Sequence, residues 1–177
     1  MNSAVVIAWL SVGAMVVGSL SPVAHRVVSA IATQSQPTDF MEAVQQSAQR
    51  IGTKPEYLLA VMLFETGGSL NPCQRGAIAL DGTRATGLIQ FMDNTAKELG
   101  TSSEELCRMS QVEQMQWVER YLTVRGFRGG GLKPLYSTVF VGNPHGKGNE
   151  SDGYHTLNRA IARIESEHLP RAKAMLE

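Results

Sequence analysis

The chain has 177 residues, enough for one domain of ordinary size with a real hydrophobic core. Sixteen Lys and Arg balance sixteen Asp and Glu, so the formal net charge is zero and nothing favours a nucleic-acid or strongly polyanionic partner. The four histidines, His25, His145, His155 and His168, show no close metal-ligand spacing, and neither a metal nor a cofactor is expected.

The first run of the chain, Ala4 to Leu20, carries no charge. As a helix it spans roughly 25 Å, and adding Ser21 to Ala24 reaches the about 30 Å of a bilayer core. Ala14 and Gly18 form a small-xxx-small pair suited to close helix packing in lipid, and His25 and Arg26 supply a polar flank. Residues 1–32 are therefore expected to form a hydrophobic N-terminal helix, with residues 4–24 in a membrane or against a hydrophobic assembly partner. A secretory signal ending at Ala30-Ile31-Ala32 competes with this reading, although no Lys or Arg precedes the apolar run. A buried helix of a larger assembly is the third reading. Residues 33–39, Thr-Gln-Ser-Gln-Pro-Thr-Asp, read as a polar linker to a domain over residues 40–177.

From there the periodicity is helical almost throughout. Phe40, Ala43, Val44, Ser47, Ala48 and Ile51 form one stripe, with Thr38 or Asp39 as N-cap. Thr53-Lys-Pro-Glu56 reads as a capping box with an early proline, opening an apolar helix that closes on Glu65 and is ended by Gly67 and Gly68. An acid at the polar end of a buried helix, facing a Gly-rich turn, suits proton donation. Apolar surroundings raise its pKa and keep it protonated near neutral pH. Glycosidic oxygens need such a donor, because they leave poorly until protonated.

Further on, Asn94 to Leu99 reads as a short helix stopped by Gly100. Thr101-Ser-Ser-Glu104 caps another short helix, and Ser110-Gln-Val-Glu113 a longer one that turns Val112, Met115, Val118 and Leu122 inward and ends at Gly126. Leu157, Ile161, Ile164 and Leu169 mark a last helix. Phe127–Pro134 and Asn143–Gly153 read as loops, the kind of segment that carries binding function on a helical scaffold. No alternating strand pattern of useful length appears, so the fold class expected is all-α in the sense of mainly α. Two cysteines, Cys73 shortly after the turn that follows Glu65 and Cys107 in the short helix opened by Thr101-Ser-Ser-Glu104, are expected to lie close in space, as a disulfide or as two buried thiols.

Glu65-Thr-Gly-Gly-Ser-Leu-Asn-Pro72 resembles the Glu-Ser-x-(F/L)-(N/D)-P catalytic segment of lytic transglycosylases. Thr86-Gly-Leu-Ile-Gln-Phe91, followed by Thr95-Ala96 and Leu99-Gly100, resembles their Gly-Leu-Met-Gln segment and the helix after it. Leu135-Tyr136 stands where the family has Ala-Tyr-Asn, with Ser137 in place of Asn. The resemblance covers roughly Phe40 to Phe140. It implies a goose-lysozyme-like, mostly helical fold and cleavage of the MurNAc–GlcNAc β-1,4 bond in peptidoglycan glycan strands. In that family one Glu, here Glu65, protonates the leaving oxygen and then takes the proton of the C6 hydroxyl of the same MurNAc, closing a 1,6-anhydro ring without water. The resemblance further implies that Thr66, Gly87, Leu88, Gln90 and Tyr136 bind substrate. Arg75 and Arg84, between the motifs, either meet peptide-stem carboxylates or are solvated loop residues.

Two other functions compete. A hydrolytic lysozyme with inversion needs a second carboxylate about 6.5–9.5 Å from the acid, and Asp81 and Asp93 are the candidates. A non-catalytic glycan-binding component of a virion or envelope assembly needs no active acid, which leaves Glu65 and both flanking motifs without a role. The settings expected are a bacterial envelope, anchored and facing the periplasm or wall, or a phage virion that opens the wall locally.

Overall fold

Asp39 opens the first element by accepting the Glu42 amide at 2.8 Å, which makes it, rather than Thr38, the cap of helix α1 (Phe40–Ile51). The computed structural model describes residues 39–78 and 82–177. The hydrophobic stretch, the remainder of the linker, and Asp81 lie outside the described residues. Among the described residues no helix is long and apolar enough to cross a membrane.

Helix α2 (Pro55–Glu65) is the axis of the domain. Leu58, Leu59, Ala60, Val61, Met62 and Leu63 are all buried, so the helix is apolar all round rather than on one stripe. Such a helix needs cover on every side, and α1, α6 (Leu132–Val141) and α8 (Leu169–Leu176) supply it. The predicted capping box at its start is absent. Lys54 is the cap residue and makes no side-chain bond, while the Thr53 hydroxyl donates to the Gly130 carbonyl at 2.8 Å. Pro55 already fixes the first helical φ, so the turn forms without the box.

Past α2 the mainly helical fold holds one short sheet that the sequence pattern did not mark. Arg75–Ile78 (β1) and Arg84–Thr86 (β2) pair antiparallel as a two-stranded hairpin. The strands are too short, and the register too irregular, to leave an alternating pattern in the sequence. The protein is mainly α, with this one small sheet among the described residues.

Helix α3 (Asp93–Leu99) stops at Gly100, and α4 (Ser103–Arg108) is capped by Ser102 rather than Thr101. Helix α5 (Gln111–Val124) carries the capping box expected at Ser110 and Glu113. It packs on α1, where Glu119 accepts from Ser47 at 2.6 Å and pairs with Arg50 at 2.7 Å. Helix α6 begins inside the stretch read as a loop, at Leu132, because Pro134 falls in its first turn where a missing N–H costs nothing. The last helix comes in pieces: α7 (Leu157–Arg163), a wide π-turn over Ile164–His168, and α8. Pro170 sits in the first turn of α8, so the ladder loses a donor there and the chain widens just before it. Cys73 and Cys107 form a disulfide, with Cα atoms 4.1 Å apart, tying the end of the first motif to α4.

Candidate active site

Glu65 is the last residue of α2, and the turn after it is held by its own polar groups. Gly68 N–H donates to Leu63 O at 2.7 Å, and both Gly67 and Gly68 adopt positive φ. The Thr66 hydroxyl is spent on this turn: it donates to Met62 O at 2.7 Å and accepts the Leu70 amide at 3.0 Å. Thr66 is buried and does not line the groove, so the substrate contact expected of it gives way to a capping role.

The second motif is stitched onto the first. Gly87 N–H donates to Gln74 O at 2.8 Å, and Thr86 and Phe91 exchange two amide bonds of 2.9 Å across the intervening turn. Gly87 has φ 90°, and a Cβ there would lie 2.5 Å from Gln114 Oε1, so the position accepts only glycine. Leu88 is fully buried; its amide donates to Gln114 Oε1 at 2.7 Å. Gly87 and Leu88 therefore shape the turn and do not themselves line the groove. Gln90, at φ 55°, does reach it, with its Nε2 donating to Gly87 O at 2.9 Å and Gln74 O at 3.2 Å.

These segments border a groove of about 770 Å³ lined by Glu65, Gln90, Met92, Asp152, Tyr154, His155 and Arg163, among others. Glu65 is half-buried in it. Burial pushes the carboxyl up to about 7, helped by the negative charge of Asp152 and opposed by a hydrogen bond donated by the Tyr136 hydroxyl. Tyr136, 1% exposed, is brought in by α6, and its own pKa is raised by burial and by the Glu65 charge. A tight ring cluster orders this wall. Phe64, next to the acid, meets Tyr136, His155 and His168 edge-on, at centroid distances of 5.5, 5.7 and 5.6 Å.

Ser137, in place of the expected Asn, has a defined task. It is buried, donates to Asn143 O at 2.7 Å and accepts from Gly146 N at 2.8 Å, which pins the loop that returns to the groove. That loop is ordered rather than loose. Glu150 accepts the Lys147 and Gly148 amides at 2.7 Å each, and Asp152 Oδ1 accepts those of Tyr154 and His155 at 2.8 and 2.9 Å.

Asp93, one carboxylate considered for hydrolysis, is occupied elsewhere. Its oxygens accept the Ser103 hydroxyl and the Arg84 amide, and it does not line the groove. Arg75 and Arg84 serve the hairpin, donating to Thr86 Oγ1 at 3.0 Å and Gly76 O at 2.8 Å. Sequence reasoning missed Asp152, Tyr154, His155 and Arg163 as groove residues. The polarity of the 143–153 loop was the only signal, and it does not say where the loop returns. Among the described residues no group of His, Cys, Asp or Glu is arranged to hold a metal ion. Comparison of the chain with protein-family models, curated proteins and solved structures finds no match.

Proposed function

We propose that the chain is a peptidoglycan lytic transglycosylase with a goose-lysozyme-like fold, in which Glu65 is the general acid and then the general base. The observation that carries this reading is the Glu65 carboxyl itself. It borders an open groove, is held near the midpoint of its titration at neutral pH, and is oriented by a buried tyrosine hydroxyl. A group with pKa about 7 gives up and regains a proton with little driving force lost in either direction.

In the first half-step the Glu65 proton passes to the glycosidic oxygen. The C1–O bond breaks with its electron pair going to that oxygen, and C1 becomes cationic. In the second, the C6 hydroxyl oxygen bonds to C1 and its proton returns to Glu65. A 1,6-anhydro end forms, no water is consumed, and the acid is restored. The role of Tyr136 is to fix the carboxylate between the two steps.

The disulfide fits an oxidising compartment, which agrees with an envelope or virion setting in which residues 4–24 engage a membrane or a hydrophobic partner. The deciding experiment is digestion of purified peptidoglycan with mass analysis of the released muropeptides. Anhydro ends that disappear in Glu65→Gln support the reading. Reducing ends assign a hydrolytic lysozyme instead, equal release by Glu65→Gln removes Glu65 from the chemistry and overturns the reading, and no release by the wild type leaves a glycan-binding component.

A further inference from the structure

The groove holds a second carboxylate with a different environment. Asp152 lies on the 143–156 loop and lines the same groove as Glu65. Its Oδ1 accepts two backbone amides, and its Oδ2 sits 3.5 Å from His155 Nε2. The loop is fixed at several points: Ser151 bridges Thr156, Leu157 N–H donates to Glu150 O at 2.9 Å, and Asn158 N–H donates to Gly148 O at 3.0 Å. The ring of His155 packs against Phe64 and Phe140, which docks the loop on the helix that ends in Glu65. This carboxylate is held in place from both sides.

We infer that Asp152 is a positioning residue of the acid–base site: a fixed anion that sets the protonation of Glu65 from the same groove. The inference rests on the reading of Glu65 as the acid. Two amide donors on one oxygen suit the charged form. The carboxyl is accordingly held below the usual range: partial burial acts upward, but the His155 and Tyr154 amides outweigh it.

The other charges bordering the groove do not mask this anion. Arg163 is committed to Glu167 at 3.0 Å and to the face of Phe64. His168, beside Glu167, is pushed down by burial and so favours its neutral form. Tyr136 donates its hydroxyl to Glu65 and stays protonated. His155 lies against Asp152 itself, Tyr154 lines the groove beside it, and the Tyr121 hydroxyl, which feels the Glu65 charge, is held protonated by burial. A like charge in one groove opposes ionisation of the acid, so Asp152 works to keep the proton on Glu65 until substrate receives it.

Asp152→Asn tests this, because the amide oxygen still accepts from Tyr154 and His155 while the charge is gone. Two readouts are taken on the full chain: the titration of the Glu65 carboxyl by ¹³C NMR, which needs no activity, and the pH profile of kcat/KM on peptidoglycan with product analysis. The expected result is a fall in the Glu65 pKa on the order of half a unit, a matching move of the alkaline limb to lower pH, and anhydro products throughout. An unchanged Glu65 titration overturns the inference. So does a wild type that makes reducing ends and a variant that makes none, which assigns Asp152 as the water base. A wild type that cleaves nothing, with the Glu65 titration still moved by the substitution, overturns the transglycosylase reading and upholds the coupling.

Discussion

The Tyr136 hydroxyl donates to the Glu65 carboxylate from a ring set edge-on to Phe64, the residue before the acid. The bond favours the charged form and so works against burial, which favours the neutral one. Tyr136→Phe keeps the ring contact and removes the bond. The Glu65 pKa should then rise further, moving the alkaline limb of kcat/KM to higher pH, opposite to the move expected for Asp152→Asn. The turnover number should fall by up to roughly 100-fold, since the carboxylate loses its orientation for the second half-step. An unmoved pH profile reduces Tyr136 to a packing residue.

Glu65 also makes folding depend on pH. Its carboxyl ionises near 4.5 in an ordinary setting and at about 7 in the folded protein. Between these values the unfolded chain has lost the proton and the native chain keeps it, so stability falls as pH rises through that window and levels off above it. A shift of this size corresponds to at most about 3 kcal/mol. Glu65→Gln removes the effect. Urea unfolding should show the two proteins nearly equal at about pH 4 and the variant more stable at about pH 8, a gain typical of removing a strained catalytic group. Equal stability at both values contradicts the raised pKa.

The Cys73–Cys107 bridge spans 34 residues of chain, including the hairpin and the whole Gly87–Phe91 turn. Closing a loop of this length in the unfolded state is worth about 3–4 kcal/mol in the chain-entropy account. The double change to Ser should cost about that much by urea denaturation and leave activity intact in protein that remains folded. Two free thiols in protein taken from an oxidising compartment contradict the pairing.

Tyr154 is 85% exposed although it borders the groove. An aromatic face at a groove rim offers the C–H face of a pyranose a flat apolar partner. Tyr154→Ala should raise KM for glycan strands several-fold and change kcat little, because an exposed ring at the rim contributes to binding. A loss confined to kcat assigns the residue to the chemistry instead.

What the sequence made legible follows from how local each signal is. Periodicity found α1 and α5, and the Ser110–Glu113 box formed as read, because helices and caps are set within a few residues. Glu65 and Gln90 reached the groove because the motif encodes the backbone around them. Thr66 and Leu88 belong to the same motifs, yet each is turned inward, since neighbours in a tight turn alternate between shaping it and lining the site. Asp152 was out of reach. Its place depends on Ser137 gripping the loop and on His155 docking against Phe64, contacts between residues far apart in the chain. The hairpin was missed because three- and four-residue strands carry too few positions for a period-two pattern.

Gln114 is the clearest case of a residue whose importance only the fold reveals, though a glutamine on the inward face of α5 was a hint. It is fully buried and uses its whole amide: Oε1 accepts the Leu88 amide at 2.7 Å, and Nε2 donates to Pro72 O at 2.8 Å and Leu106 O at 2.9 Å. It joins both motif turns to α4. Gln114→Ala leaves the Leu88 amide and the Pro72 carbonyl without partners, the Leu106 carbonyl keeping the Met109 amide at 3.2 Å, together with a small cavity. The expected cost is about 2–4 kcal/mol. Gln114→Glu keeps the shape but sets a carboxyl against two carbonyls, and should cost at least as much. Neither change touches the groove, so protein still folded at low temperature should keep its turnover number while its urea midpoint drops. A loss of activity with an unmoved midpoint means that Gln114 acts on the chemistry, and a cost below about 0.5 kcal/mol means that water replaces the stitch.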